Sequence, residues 1–394
     1  MFEIQADLVG TIAGLSTASD MNDLRFLHHA ERVAYISLRI GEVLDFHTDQ
    51  KKELVLSALL HDIGVATTGE RLKLADLAPE QEFASLHCKR GYELLKATPI
   101  FAPLAQNVLE HHNYYNDGLR LIPAIIHLAD RVEHLLKKDI YCLWQIEPIT
   151  NYLQKEKGRL FHPQVVQAFL ELAPIPSFWL DLENETYRSI LRSKDELAHT
   201  LTLDQLEEIA WMYAILVDSR CPFTAVHSSG VTRIVELLSR NLGINSSKNR
   251  LLKVAALLHD IGKLAVPEAI IQHPGKLNDR QMALMKQHTY HTYYLIGSIG
   301  QGIEPVQRWA AYHHERLDGS GYPFALKAHE LELEARLIAI ADVTQAITED
   351  RPYRKGLPKP AVEKILFSEA KEGRLDPDLV SITIDSLNEI MYFQ

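Results

Sequence analysis

The segment ALLHDIG occurs twice in this chain, at residues 58–64 and 256–262. Its second copy lies in SSKNRLLKVAALLHDIGK, residues 246–263, and this stretch decides the fold. Apolar Leu251, Val254, Ala255 and Leu258 recur at the spacing of one helix face, a serine stands at the capping position, and Gly262 marks the end. His259 and Asp260 are thereby expected at a helix C-terminus. HSSGVTRIVELLSRNLG (227–243) repeats the scheme with Gly243 as its stop, and LDQLEEIAWMYAILVDSR (203–220) reads as a long helix leading into the second copy. Alternating apolar and polar runs are scarce, so the expected fold class is all-α.

The repeat extends well beyond the motif. A histidine stands 32 residues before each motif histidine, His29 before His61 and His227 before His259, with an offset of 198 between the copies. The first copy continues with His87, the pair His111–His112 and Asp130; the second continues with His288, the pair His313–His314 and Asp342. EKGRLFHPQVV (156–166) answers KEGRLDPDLV (371–380), and the offset at their prolines is 214. The second copy is therefore 16 residues longer, and ten of these fall between its histidine pair and the following aspartate, where LDGSGYP (317–323) lies. The expected organisation is two tandem helical domains, residues 1–195 and 196–394, with an elaborated loop only in the second.

Composition narrows the function. A net charge of -11 over 394 residues offers no field for nucleic acid or an anionic membrane, so a phosphate ligand must be held by local groups. The three cysteines follow no metal or disulfide spacing, the N-terminus MFEIQADLVG lacks a signal pattern, and no apolar run approaches a membrane span, so a cytoplasmic protein is expected. Histidine is abundant, at 19 residues.

Five histidines and two aspartates per copy combine imidazole nitrogen with carboxylate oxygen, a set suited to Fe, Mn, Ni or Zn. Seven ligands suit two ions better than one. An aspartate next to a ligand histidine can bridge two ions that share a hydroxide for attack on a phosphodiester, and Asp260 is the candidate bridge. One His-Asp pair at a helix end is more often a cap or a satisfied polar pair; seven such residues in the same order in two copies point to metal instead.

These residues resemble the HD superfamily of metal-dependent phosphohydrolases. The second copy resembles its HD-GYP branch, the cyclic di-GMP phosphodiesterases, through HDIGK (259–263), HHERLDGSGYP (313–323) and DRPYR (350–354). The resemblance implies two divalent ions, Fe or Mn before Ni or Zn, held by His227, His259, Asp260, His288, His313, His314 and Asp342. It also implies a catalytic role for Asp260 and Lys263. Substrate contacts would come from Lys263, Asp318, Gly319, Gly321, Tyr322, Pro323, Arg351 and Arg354. The implied substrate is a cyclic dinucleotide, cyclic di-GMP first and 3′,3′-cyclic GMP-AMP as the alternative, opened to a linear dinucleotide or mononucleotide; a non-catalytic receptor is the other class of reading. No nucleic-acid or membrane partner is expected, and a homodimer is left open.

Three positions depart from the family pattern. Phe223 stands where some members place a third-metal glutamate, Thr292 where glycine is usual, and Gln345 where aspartate is common. The first copy keeps His29, His61, Asp62, His87, His111, His112 and Asp130 as a second candidate metal set, but Val65 replaces the lysine and Asn113 the glutamate after the pair. Lacking the loop and the arginines as well, it is expected to be regulatory or structural.

Overall fold

The computed structural model describes residues 5–21, 23, 25–74, 81–220, 227–273, 275–350 and 355–392. It is all-α, and the chain divides into two compact units: Ala6–Thr200, and Leu201–Gln394, which also takes in Gln5. Among the described residues no single helix is long and apolar enough to cross a membrane.

In the first unit the helix His29–Val43 packs against Thr48–Leu60, Leu121–Leu135 and Pro163–Leu172. Val33, Ile36, Leu54, Ile125, Val132 and Phe169 are buried in this unit. In the second unit His227–Asn241 packs against Ser246–Leu258 and Leu333–Thr348, and Asp279–Gly297 lies along Glu304–Ala311 and the 3-10 turn Ile261–Ala265. Here Val231, Ile234, Val254, Leu258, Ile338 and Ala341 are buried. The central helices are covered on all sides: Leu121–Leu135 is buried without a break from Pro123 to Glu133, and Leu333–Thr348 from Leu337 to Asp342.

Two local features differ from expectation. The helix holding the second ALLHD segment is capped by Asn245, whose side chain accepts from Lys248 N at 3.0 Å, so Ser246 is its first helical residue. The helix ends at Leu258 with His259 as C-cap, and Gly262 lies inside the following 3-10 turn. Gly262 is required there for close approach: a Cβ would lie 1.9 Å from His288 O and 2.7 Å from Thr292 N. Gly243 ends its helix as expected, in the left-handed region at φ +68°.

Candidate metal centres

In the second unit the seven candidate residues converge from five helices. His227 opens the helix His227–Asn241, and His259 and Asp260 follow Ser246–Leu258. His288 is central in Asp279–Gly297, His313 and His314 follow Glu304–Ala311, and Asp342 is central in Leu333–Thr348. Their donor atoms form two groups, His227 with His259 and Asp342, and His288 with His313 and His314. Asp260 stands between the groups. Its Oδ2 lies 3.2 Å from His259 Nε2 and 4.0 Å from His227 Nε2, while its Oδ1 lies 3.5 Å from His288 Nε2 and 3.8 Å from His313 Nε2.

The protein backbone presets three of these imidazoles. Nδ1 of His259, His288 and His313 lies 2.6–2.7 Å from the carbonyl oxygen three residues earlier, of Ala256, Met285 and Ala310. A carbonyl only accepts, so each Nδ1 carries the proton and each Nε2 presents its lone pair to the cluster. His259 Nε2 and Asp260 Oδ1 are buried without a hydrogen-bond partner. Buried polar atoms left in this way are costly in a finished core, and a coordinated cation would satisfy both. The donor set fits a divalent transition metal.

Charge at the site follows from burial and neighbours. Burial drives His288 down to about 4 and His314 to about 3, and holds His313 well below the usual imidazole range, so all three are neutral near pH 7. At His227 burial also opposes charge, but it is outweighed by the hydrogen bonds and charges of Asp342 and Glu349, which push the imidazole up to about 10. Asp260 and Asp342 stay well below the carboxylate range: burial opposes this, and the surrounding histidines, with Lys263 for Asp260, overcome it. Lys263 Nζ rests 2.5 Å from Asp260 Oδ2.

The residues expected to touch substrate fall into three sets. Lys263 is in the cluster. The Tyr322 ring packs 4.9 Å from that of His314 and 6.4 Å from that of His288, centroid to centroid, and Lys286 Nζ lies 5.2 Å from its centre. Gly319 adopts φ +83°, and Gly321 passes so near the chain that a Cβ would fall 2.4 Å from Glu315 Cα. Pro323 follows Tyr322 in the same loop, and Asp318 accepts from Ser320 N and Oγ, so its carboxylate shapes the turn. Arg351, Arg354 and Phe223 lie outside the described residues.

Several contributing residues had no structural role assigned from the sequence, although Thr292, Gln345 and the glutamate after the histidine pair were noted there. Glu315 is the chief one: its carboxylate accepts from Phe324 N at 2.7 Å and Leu326 N at 3.0 Å and so folds the loop back on the histidine pair. Glu349 orients His227 through Nδ1 at 3.1 Å, and Gln345 Nε2 donates to Glu349 in turn. Thr292 accepts from Gly262 N at 3.1 Å and donates to His259 O at 3.0 Å, giving a polar tie where the family has glycine. Asp218 accepts from Ser228 N and Oγ at the start of the His227 helix. The repeat itself held a signal for it, because Asp20 precedes Asp218 by the same 198 residues.

The first unit assembles the corresponding residues. Asp62, His87, His111 and His112 form one group; His29, His61 and Asp130 form another. Asp62 Oδ1 lies 3.4 Å from His87 Nε2 and 3.6 Å from His61 Nε2. His29 Nδ1 meets Glu133 at 2.7 Å, and the charge of Glu133 with the hydrogen bond to Asp130 overcomes burial to push His29 up to about 10. Two guanidinium groups with no counterpart against Asp260 or Asp342 among the described residues stand here: Arg131 contacts Asp130 Oδ2 at 2.7 Å, and Arg71 approaches Asp62 Oδ2 at 3.9 Å.

Comparison with known proteins agrees with this doubled architecture. Family models described as HD domain match residues 212–379 and 26–135. The 3′3′-cGAMP-specific phosphodiesterase 1 of Vibrio cholerae is 31% identical over 401 residues, covering 96% of this chain and 91% of that protein. A cyclic di-GMP phosphodiesterase of Pseudomonas aeruginosa is 35% identical over 199 residues, 50% of this chain and 44% of its own. A solved cyclic GMP-AMP phosphodiesterase of V. cholerae shares the fold, at a TM-score of 0.66, 23% identity and 98% coverage of both chains. With both halves matched and one relative similar over nearly its whole length, the chain belongs to the HD-domain family, in its HD-GYP branch.

Proposed function

We propose that the chain is a phosphodiesterase of cyclic dinucleotides, that its second domain carries the reaction, and that 3′,3′-cyclic GMP-AMP is its substrate. The observation that carries this reading is Asp260, which offers one oxygen to each histidine group with Lys263 on its edge, beside a loop that only this domain has. The base preference rests on the relatives that match both domains. Besides the one above, the V. cholerae 3′3′-cGAMP-specific phosphodiesterase 3 is 26% identical over 95% of this chain and 93% of its own. Cyclic di-GMP is the second reading, favoured by the relative that matches half of this chain.

His227, His259 and Asp342 would hold one divalent ion and His288, His313 and His314 a second, with Asp260 bridging; Fe(II) or Mn(II) suits five imidazoles and two carboxylates. Such a pair supplies a water nucleophile at neutral pH and a Lewis acid for the phosphoryl oxygens. The remaining work falls to the chain. Backbone carbonyls keep Nε2 of three histidines unprotonated, Glu349 orients His227, and Lys263 can turn from Asp260 to a phosphoryl oxygen and offset charge there. Tyr322 and the glycines beside it form the wall nearest His314.

Purified protein with Mn(II) should convert 3′,3′-cyclic GMP-AMP to a linear dinucleotide faster than cyclic di-GMP. Asp260→Ala should abolish turnover, and Asp62→Ala should leave most of it. No turnover of either substrate would overturn the enzyme reading, and equal loss from both variants would overturn the assignment to the second domain.

A further inference from the structure

The two histidine clusters differ most in what stands behind their carboxylates. In the first domain Arg71, on the short helix Thr68–Leu74, is itself buried. Its Nη2 lies 2.7 Å from Asp20 Oδ1 and 3.9 Å from Asp62 Oδ2, Nη1 donates to Ser19 O at 3.2 Å, and the guanidinium lies 5.1 Å from the Phe26 ring centre. Arg131 donates to Asp130 Oδ2 through Nε at 3.2 Å and Nη2 at 2.7 Å, and Nη2 also donates to Leu74 O at 2.9 Å. The middle of this short helix, at Arg71, therefore reaches Asp62, and its C-terminal end, at Leu74, is tied through Arg131 to Asp130 of the opposite group. In the second domain Val343 follows Asp342 where Arg131 follows Asp130, and none of Ala269, Ile270, Ile271 and Gln272, the range to which the offsets of 198 and 201 on either side of Arg71 lead, is basic.

We propose that Arg71 and Arg131 act as resident cations of the first cluster, so that this domain takes up a divalent metal more weakly than the second although it keeps all seven candidate ligands. The proposal rests on the reading of both clusters as metal centres. An arriving divalent ion must share Asp62 and Asp130 with positive groups that are buried and cannot retreat into water, whereas the cation of the second cluster, Lys263 beside Asp260, is 21% exposed and can swing away. Like charges at such separations in a site of lowered dielectric oppose one another by enough to weaken binding about tenfold or more. The guanidinium groups are positioning residues: they set how much carboxylate charge remains for metal, and they hold Thr68–Leu74 against the cluster.

The test uses the full chain, stripped with a chelator and titrated with Mn(II), with free Mn(II) followed by electron paramagnetic resonance. The wild type should show a tight class of sites, lost in His259→Ala, and a weak class, lost in His61→Ala. Arg71→Gln should tighten the weak class about tenfold and leave the tight class alone, whereas Arg71→Lys, which keeps the charge, should leave both as in the wild type. Arg131→Met should shift the weak class in the same direction as Arg71→Gln, and it keeps the idea refutable if Arg71→Gln does not fold. An unchanged or weakened class in the neutral variants, or equal tightening by Arg71→Lys, would overturn the role of the arginines. Mn(II) binding insensitive to His61→Ala would instead overturn the reading of the first cluster as a metal centre.

Discussion

Replacing Glu315 by alanine separates loop folding from metal binding. The side chain is 2% exposed, and its carboxylate accepts the backbone N–H groups of Phe324 and Leu326, on either side of Ala325 at φ +56°. An amide that loses its acceptor costs about 1–3 kcal/mol, and because this loop lies at the surface, where released amides can reach water, the low end applies to each. Two amides give about 2 kcal/mol against the docked loop, equivalent to roughly thirtyfold. His313 and its metal-facing Nε2 do not depend on Glu315, because Nδ1 is held by Ala310 O. Steady-state kinetics on a cyclic dinucleotide, with metal content measured on the same samples, should show KM raised by at least about tenfold and metal unchanged. Glu315→Gln, which keeps one acceptor oxygen, should fall between the two. If Glu315→Ala left KM within about twofold, or if it stripped the metal, the loop would not be organised as described.

Two further outcomes follow from the packing and charge of the domains. Gly262→Ala places a Cβ against His288 O and Thr292 N, backbone atoms that can yield only if the helix bearing His288 shifts, so metal content should fall and the melting temperature drop; Gly243→Ala, with nothing within 4 Å, should cost only its left-handed strain of about 1 kcal/mol. His127, buried in the first domain against Phe161 and His112, is driven down by burial to about 4. Between its unfolded value near 6.5 and about 4 the unfolded chain binds a proton that the folded chain refuses, so stability is lost as pH falls through that window; in His127→Phe the loss over the same window should be smaller by up to a few kcal/mol, read from denaturant unfolding at each pH.

The repeat made the helical fold and the fourteen candidate ligands legible, because a metal cluster needs particular residue types at positions where helices meet, and both copies keep those positions. The supporting residues were harder to see, since different positions do the same work in the two copies. His29 is oriented by Glu133, three residues after Asp130, whereas His227 is oriented by Glu349, seven after Asp342. The place of Glu133 is taken by Gln345, and the place of Arg32, which pairs with Glu133, by Gly230, where a Cβ would lie 2.2 Å from Gln345. Neither exchange shows in a motif. Arg71 was illegible for another reason: it stands on a segment whose approach to Asp62 is decided by tertiary packing with Asp20 and Phe26.

A shared device explains how two copies can keep one ligand geometry while their surroundings diverge. In His61, His111, His259, His288 and His313 the outer nitrogen meets the carbonyl three residues earlier, so the tautomer is set by the turn of the backbone and survives any change of neighbouring side chains. His87 lacks the bond that its counterpart His288 makes. Its Nδ1 is buried without a partner, and the Ala84 carbonyl that would serve it instead accepts from the Cys88 thiol at 3.2 Å. The first cluster therefore has one more ligand than the second whose tautomer the backbone does not set, as well as two aspartates shared with arginine. Both features lower the preorganisation of that cluster for a cation, and both come from side chains outside the ligand set. On the proposed reading, the division of labour between the domains would follow from their supporting residues: the ligands would let both clusters hold metal, and Glu315, Lys263 and the loop would equip the second to act on a phosphodiester.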